Sequence, residues 1–283
     1  MADLVHIILL NWNGWRDTSR CISSLRRVAP DKARIVVVDN GSTDDSVEKL
    51  RALRPSVEVI ETGRNLGFAA GCNIGIRRAL YAGTDYVWLL NNDTTVSPDA
   101  LGALLEKANS DARLAAVGSA IYSMAEPDRL QAWGGGHVNF WLGRSRHFAE
   151  PVSDHEIEFI TGASLFLRRS ALSIPGLLDE GFFMYWEDAD YCFRLRQAGW
   201  KLGVAGDSKI WHKESASVGK ASSRMDAYFN ASAARFFRKH ARIPRLSLWS
   251  GVTLRLTKRA LTGDWDRFSA LWTAVKQADA VQP

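Results

Sequence analysis

The sequence predicts an α/β protein built on a mainly parallel sheet flanked by helices. Three observations carry that expectation. Apolar, β-branched runs recur through the first half, helically spaced segments lie between them, and the junctions are rich in Gly, Asn, Asp and Ser. The 283 residues suffice for one large α/β domain, and one domain with an appended tail is expected.

The elements follow in order. "LVHIILL" (4–10) is a near-continuous apolar strand, and 16–28 follows with Cys21, Ile22, Leu25 and Val28 at helical spacing. "RIVVVD" (34–39) is a second buried strand. "STDDSVEKLRAL" (42–53) opens like a capped helix, a hydroxyl residue preceding acidic ones. "VEVIE" (57–61) gives a third strand, and "GRNLGFAAGCNIGIRRAL" a polar loop entering a helix. Gly71 and Gly75 weaken that helix, which implies that a backbone or a ligand approaches it closely. "DYVWLLNND" is the fourth strand, before a helix at about 98–108 and the strand 114–119. "WGGGHVNFWLGRSRH" suggests a glycine-rich loop or hairpin. "FITGASLFLRRSAL" reads as turn, strand and short helix, "FFMYWEDADYCFRLRQAGW" as a helix entered through acidic residues, and "KLGVAGDSKIWH" as a closing strand. The last 70 or so residues read as helical.

Composition narrows the function. Cys21, Cys72 and Cys192 have neither metal-ligand nor redox spacing, so they read as reduced packing residues. The acidic start "MADL" is unlike a signal peptide, and no apolar run approaches the ~18 residues of a bilayer span, so a cytoplasmic protein is expected. From Lys209 onward 14 Lys and Arg face 5 Asp and Glu, so a slightly acidic body carries a basic tail. Among eleven tryptophans, Trp12, Trp133, Trp141 and Trp186 lie beside polar residues, where an indole can stack on a sugar but equally fills a core.

Three polar clusters, "NWNGW", "DNGSTDD" and "NNDTT", each begin where a strand ends. In a parallel sheet those ends share one edge, where open α/β sheets bind ligands. Segment 63–75 is neither a Walker loop nor a GxGxxG fingerprint, so a phosphate here needs another counter-charge. Asp93 can supply it through a divalent cation. Asp188, in "WEDADYCFR", is a candidate general base, and His212, in "IWHKES", a candidate ligand. Taken singly, each has an ordinary alternative: acidic residues favour a helix N-terminus, and an isolated histidine is commonly structural.

In order and context, "IILLNWNGW", "VVVDNGSTDDS", "GRNLGFAAGCNIGI", "VWLLNNDTTV", "FITGASLFLRRSAL", "GFFMYWEDADYCFRLRQAGW" and "IWHKESAS" resemble the inverting family-2 glycosyltransferases of the GT-A fold. Within them, the bacterial branch that includes rhamnosyltransferases is most similar. The resemblance runs from residue 5 to about 220. It implies a Rossmann-like, mainly parallel central sheet in a GT-A domain at 1–220, with a nucleotide-sugar-binding part at about 1–119 and an acceptor and catalytic part at about 120–220. Residues 221–283 then form a helical basic C-terminal extension.

By the same resemblance, Asn11, Trp12 and Asn13 form the first nucleotide-contacting loop, and Asp39 with Asn40 meets the nucleobase. Arg64, Asn65 and Asn73 border the donor, as do Trp186 and Glu187. Asn91, Asn92 and Asp93 stand at the D-x-D-like motif, Asp188 is the catalytic base, and Asp93 and His212 hold Mg2+ or Mn2+. One departure is that Asn91 replaces the first carboxylate, so the metal carries less protein charge and depends more on the donor's phosphates.

The activity implied is inverting transfer of a sugar, L-rhamnose in first place, to a hydroxyl of a glycan or lipid-linked acceptor in cell-surface polysaccharide synthesis. The donor favoured is dTDP-L-rhamnose. A UDP-sugar, as for a galactofuranosyltransferase, is the rival, and a sugar nucleotidyltransferase a more distant one, since "NWNGWRD" is unlike a triphosphate loop. The tail interleaves Arg and Lys with Phe, Leu and Trp, which suits either peripheral contact with an anionic membrane on the cytoplasmic face or a packed helical subdomain. An acidic body without any DNA- or RNA-binding motif argues against a nucleic-acid partner.

Overall fold

The computed structural model describes residues 3–28, 33–53, 57–213 and 223–280. Its elements are β1 (Val5–Asn11), α1 (Trp15–Leu25), β2 (Ala33–Asp39), α2 (Ser46–Arg51), β3 (Val57–Glu61), α3 (Phe68–Tyr81), β4 (Tyr86–Asn91), β5 (Thr94–Val96) and α4 (Ala100–Ser110). There follow β6 (Leu114–Ser123), β7 (Leu130–Trp133), β8 (Gly135–Asn139), β9 (Arg144–His147), β10 (Phe159–Ile160), β11 (Ser164–Arg168), α5 (Glu187–Gln197) and β12 (Lys201–His212). Three helices close the chain: α6 (Ser223–His240), α7 (Pro244–Leu261) and α8 (Trp265–Ala280).

The main sheet has the order β3-β2-β1-β4-β11-β6-β12-β5, with β7 on β6. Its first four strands are parallel, and β11 runs antiparallel between β4 and β6. Strands buried on both faces need no polar alternation, which is why 7–10, 35–38 and 87–90 are unbroken apolar runs within β1, β2 and β4. Successive side chains still alternate. Ile8, Val36, Val38, Val87 and Leu89 join one core with Cys72 and Ile76 of α3. Ile7, Leu9, Val37, Trp88 and Leu90 join another with Ile22 of α1 and Leu104 of α4.

The glycines of α3 have a different cause from the one expected. A methyl on Gly71 would meet Leu10 Cδ1 at 2.5 Å, and one on Gly75 would meet Ile8 Cγ2 at 2.5 Å. The close neighbour is thus the side-chain layer of β1, neither a backbone nor a ligand. The second helix also begins later than its hydroxyl and acidic residues suggest, at Ser46, because Ser42 to Asp44 are engaged as loop partners of Asn13 and Asp39.

"WGGGHVNFWLGRSRH" forms the hairpin β8–β9, completed by β10 into a small antiparallel sheet. The basic C-terminal part is helical and packs on the body: Phe236 and Phe237 of α6 are buried against Phe140 and Trp186. The expected boundary at 220/221, and the end of "IWHKESAS", lie outside the described residues. Cys21, Cys72 and Cys192 are free and buried, and burial pushes the thiols of Cys21 and Cys192 up to about 12. Among the described residues no helix is long and apolar enough to cross a membrane.

Candidate active site

Strand register brings the polar clusters to one edge. Asn11 pairs with Asp39 at the ends of β1 and β2, and Asn91 pairs with Leu10 at the end of β4. From there a hydrogen-bonded chain crosses the edge. Asn92 Nδ2 donates to Thr18 Oγ1 (2.8 Å), Thr18 Oγ1 to Asn11 Oδ1 (2.8 Å), and Asn11 Nδ2 to Asp39 Oδ1 (2.8 Å). Asp39 also accepts from the Ser42 hydroxyl (2.6 Å) and the Ser42 amide (3.0 Å). A carboxylate has about four acceptor positions, so one, on Oδ2, is left for a ligand. Asn11, Asp39 and Asn40 are all buried. They hold the two loops together, while Trp12, Asn13 and Arg64 are exposed at this edge.

Asn13 adopts a left-handed φ of 51°, and its side-chain Oδ1 accepts from the amides of Thr43 (2.8 Å) and Asp44 (3.3 Å). Asn40 Nδ2 donates to Asn65 Oδ1 (3.1 Å) and to the carbonyl of Gly67 (3.1 Å). Gly41, at φ 73°, has the Arg64 backbone 2.5 Å from where a Cβ would stand. Any other residue there would be strained and would push this segment away. The "DNG" turn therefore serves close approach of the chain to itself, and this carries Arg64 to the rim.

His212 arrives from the other end of the chain because β12 pairs antiparallel with β5, setting His212 opposite Thr94. Its Nε2 lies 3.3 Å from Asp93 Oδ1 and 3.3 Å from Asn91 Nδ2, while Nδ1 faces Gln131 Oε1 at 3.3 Å. Gln131 can only accept at that oxygen, so in the tautomer that uses this contact the ring proton is on Nδ1 and Nε2 is an acceptor. In that tautomer Nε2 accepts from Asn91 Nδ2 and lies beside a second acceptor, Asp93 Oδ1, so a cation seated between the two would draw them together. The pair fits a divalent ion with oxygen and imidazole ligands, and Gln131 is placed to give the outer hydrogen bond that would orient such a histidine. Among the described residues no group of three or more His, Cys, Asp or Glu is arranged to hold a metal. The remaining ligands would come from water or from a bound diphosphate.

The entry to α5 is strained. Tyr185 (φ 69°) and Trp186 (φ 67°) are consecutive left-handed residues, a conformation costing roughly 1–3 kcal/mol for each such residue and found where function over-determines the backbone. They turn the chain so that Glu187 and Asp188 begin the helix inside a pocket of about 430 Å³. Asn91, His212, His147 and Trp186 share that pocket. Asp188 Oδ2 accepts from the Gly162 amide (2.8 Å) and Oδ1 from its neighbour Ala189 (2.7 Å).

Removal from water raises the pKa of Asp188, a shift only partly offset by those two amides and by His147. Glu187 is buried, with one carboxylate oxygen unpartnered. Burial, and then the adjacent Asp188 carboxylate, push its pKa well up. A held but accessible carboxylate with a raised pKa is the form a general base takes.

Not every expected residue belongs here. Asn73 is buried, donates to the Leu178 carbonyl (2.9 Å) and Glu180 Oε1 (2.9 Å), and accepts from the Leu178 amide (3.2 Å). It fastens the 178–180 loop to α3 and does not border the pocket. Trp186 packs mainly against Phe229, Phe236 and Phe237. Of the four tryptophans beside polar residues, Trp12 alone is exposed on the strand-end edge; Trp141 stands at the β8–β9 tip. Gln131, Thr18 and His147 escape sequence reasoning. Each gains its place from a partner far along the chain, and no local pattern marks it.

The chain is similar to known proteins throughout this region. The model of "Glycosyl transferase family 2" matches residues 6–173, more than half of the chain. An N-acetylglucosaminyl-diphospho-decaprenol L-rhamnosyltransferase of Mycobacterium tuberculosis is 28% identical, over 78% of this chain and 79% of its own. The galactofuranosyltransferase GlfT1 of the same species is 30% identical, over 63% and 60%. Two solved structures share the fold: GalNAc-T7 with UDP, GalNAc and Mn2+ (TM-score 0.68, 17% identity, 84% of this chain and 48% of that one), and the mannosyltransferase PcManGT of Pyrobaculum calidifontis with GDP-Man and Mn2+ (TM-score 0.63, 15% identity, 100% and 77%). With its curled, largely parallel sheet of GT-A type and its strand-end site, the chain belongs to glycosyl transferase family 2 and is a glycosyltransferase.

Proposed function

We propose that the chain transfers L-rhamnose from dTDP-L-rhamnose to a hydroxyl of a lipid-linked glycan, at the cytoplasmic face of a membrane where cell-surface polysaccharide is made. The observation that carries the transfer chemistry is the shared pocket: Asp188 and His212 line one cavity, and Asp93 touches His212. The similarity to a rhamnosyltransferase acting on a diphospho-decaprenol substrate supports the sugar and the acceptor class. A UDP-sugar donor is the second reading, favoured by the similarity to GlfT1.

In this reading Trp12, Asn13 and Arg64 contact the donor, and Asp39 offers its remaining acceptor position to the base. Asp93 and His212 would hold Mg2+ or Mn2+ with Asn91 beside them. When bound, the ion would supply positive charge against the departing diphosphate. Asp188 orients the acceptor hydroxyl and takes its proton as the oxygen attacks the anomeric carbon from the face opposite the diphosphate, so the configuration inverts. Its raised pKa makes it a better proton acceptor than an ordinary aspartate once ionised.

The test is transfer from a panel of nucleotide sugars to a short-chain polyprenyl diphosphate GlcNAc acceptor. Rhamnose transfer from the dTDP donor above all others is expected. Preference for a UDP-sugar would overturn the donor assignment, and release of pyrophosphate from a nucleoside triphosphate would overturn the reaction class.

A further inference from the structure

The helix α7 buries one side and leaves the other open. Ser247, Gly251, Val252 and Arg259 face inward. The β8–β9 tip is locked against that side: Ser250 Oγ donates to the Trp141 carbonyl (2.6 Å), and a Cβ on Gly251 would come within 2.5 Å of the Gly143 carbonyl. The outward side carries Leu246, Trp249, Leu254 and Leu261, and Trp141 continues it with 72% of its surface exposed. Isolated exposed apolar residues are ordinary, but this is a contiguous helix face extended by a hairpin tip.

The charges on this surface have one sign. Residues 227–263 contain no Asp or Glu. Arg242, Arg245 and Lys258 are exposed at the ends of the apolar stripe, and among the described residues they form no ion pair with any acid. A one-sign set of cations beside an apolar stripe of Trp and Leu matches headgroup phosphates and the acyl boundary beneath them.

We propose that the outer face of α7 and the Trp141 tip form an interfacial docking surface for an anionic lipid bilayer. The cations meet headgroup phosphates, while Trp141, Leu246 and Trp249 enter the boundary region. The geometry has a consequence for the active site. The strand β9 begins beside this tip and ends at His147, which lines the pocket. At about 3.3 Å per residue the docked surface lies within roughly 20 Å of the pocket along the hairpin. A lipid-linked hydroxyl can be presented over that span. This purpose rests on the proposed acceptor, while the docking itself rests only on the surface.

The experiment is co-sedimentation of the full chain with phosphatidylcholine vesicles, with and without phosphatidylglycerol, at low and high salt. Binding that requires the anionic lipid and falls with salt is expected. The double variant R242Q/R245Q should bind roughly thirtyfold more weakly. W141S/W249S should weaken binding at every salt concentration, and both variants should retain transfer to a soluble acceptor. A wild-type chain that ignores anionic vesicles, variants that bind as wild type does, or tighter binding to duplex DNA than to vesicles would overturn the inference. A chain that docks but transfers from no donor overturns the functional reading alone. An active chain indifferent to vesicles overturns the docking alone.

Discussion

Asp188→Asn is expected to lower kcat by about 10²–10⁴-fold, the range for losing a positioned general base, with donor affinity close to wild type. Both oxygens of Asp188 accept backbone amides, from Gly162 and Ala189, so one amide loses its acceptor in the variant. That loss costs about 1–3 kcal/mol, and preserved donor binding then shows that the fold survives. The pH profile of the wild type supplies a second signature. Burial raises the pKa of Asp188, and the reaction needs the ionised form, so the acid limb of kcat should fall at a higher pH than for an ordinary carboxylate. Lost donor binding with residual turnover would remove Asp188 from the role.

Asp190→Asn should destabilise the protein strongly without touching substrate. Asp190 follows Asp188 by two positions, which at 3.6 residues per turn places it on the other side of α5. It is fully buried and meets Arg194 (2.8 Å), Lys239 (2.7 Å) and His240 (2.8 Å), the last two on α6. Burial would raise its pKa, but His240, Lys239 and Arg194 outweigh that and hold it at about 2, against an ordinary value of 3.8.

Removing the carboxylate costs up to roughly 3–5 kcal/mol, because Arg194 and the buried His240 lose their partner, while Lys239 keeps Asp179 at 3.1 Å. The sign of the pH dependence follows. The folded pKa lies below the unfolded one, so this stabilisation is present above pH 3.8 and is lost as the pH falls toward 2. Unfolding curves of wild type and variant should differ most near neutrality and converge on acidification. Equal stability at neutral pH would show that this cluster does not hold α6 to the body. Since α6 brings Phe229, Phe236 and Phe237 over Trp186, next to Glu187, reduced activity is a secondary expectation.

The parallel half of the sheet was legible because β1, β2 and β4 are short apolar runs, each ending in Asn or Asp, and two-sided burial leaves few other readings. The helix spacing of α1 and the hairpin in "WGGGHVNFWLGRSRH" were legible for similar local reasons. The insertion of β11 antiparallel between β4 and β6 was not, since strand order is decided by packing among distant segments. The meeting of Asp93 with His212 depends on the register of β5 against β12, which local pattern does not encode.

Asn73 faces the 178–180 loop and not the pocket, and a polar residue in a glycine-bearing helix looks the same from sequence whether it faces a ligand or a loop. Asp190 illustrates the limit of cluster reasoning. Glu187, Asp188 and Asp190 share one acidic run, yet helical phase sends the first two to the pocket and the third to a structural clasp.

Asp93 and His212 are expected to hold a cation jointly with the donor's diphosphate, while Asp188 stands apart as base. The direct measurement is donor affinity titrated with Mn2+ in the wild type, Asp93→Ala, His212→Ala and Asp188→Asn. Mn2+ should tighten donor binding in the wild type and in Asp188→Asn, and each of the other variants should lose roughly 10- to 100-fold of that gain, the range seen even for outer-sphere partners of metal ligands. Metal dependence unchanged in both Asp93→Ala and His212→Ala would contradict the account.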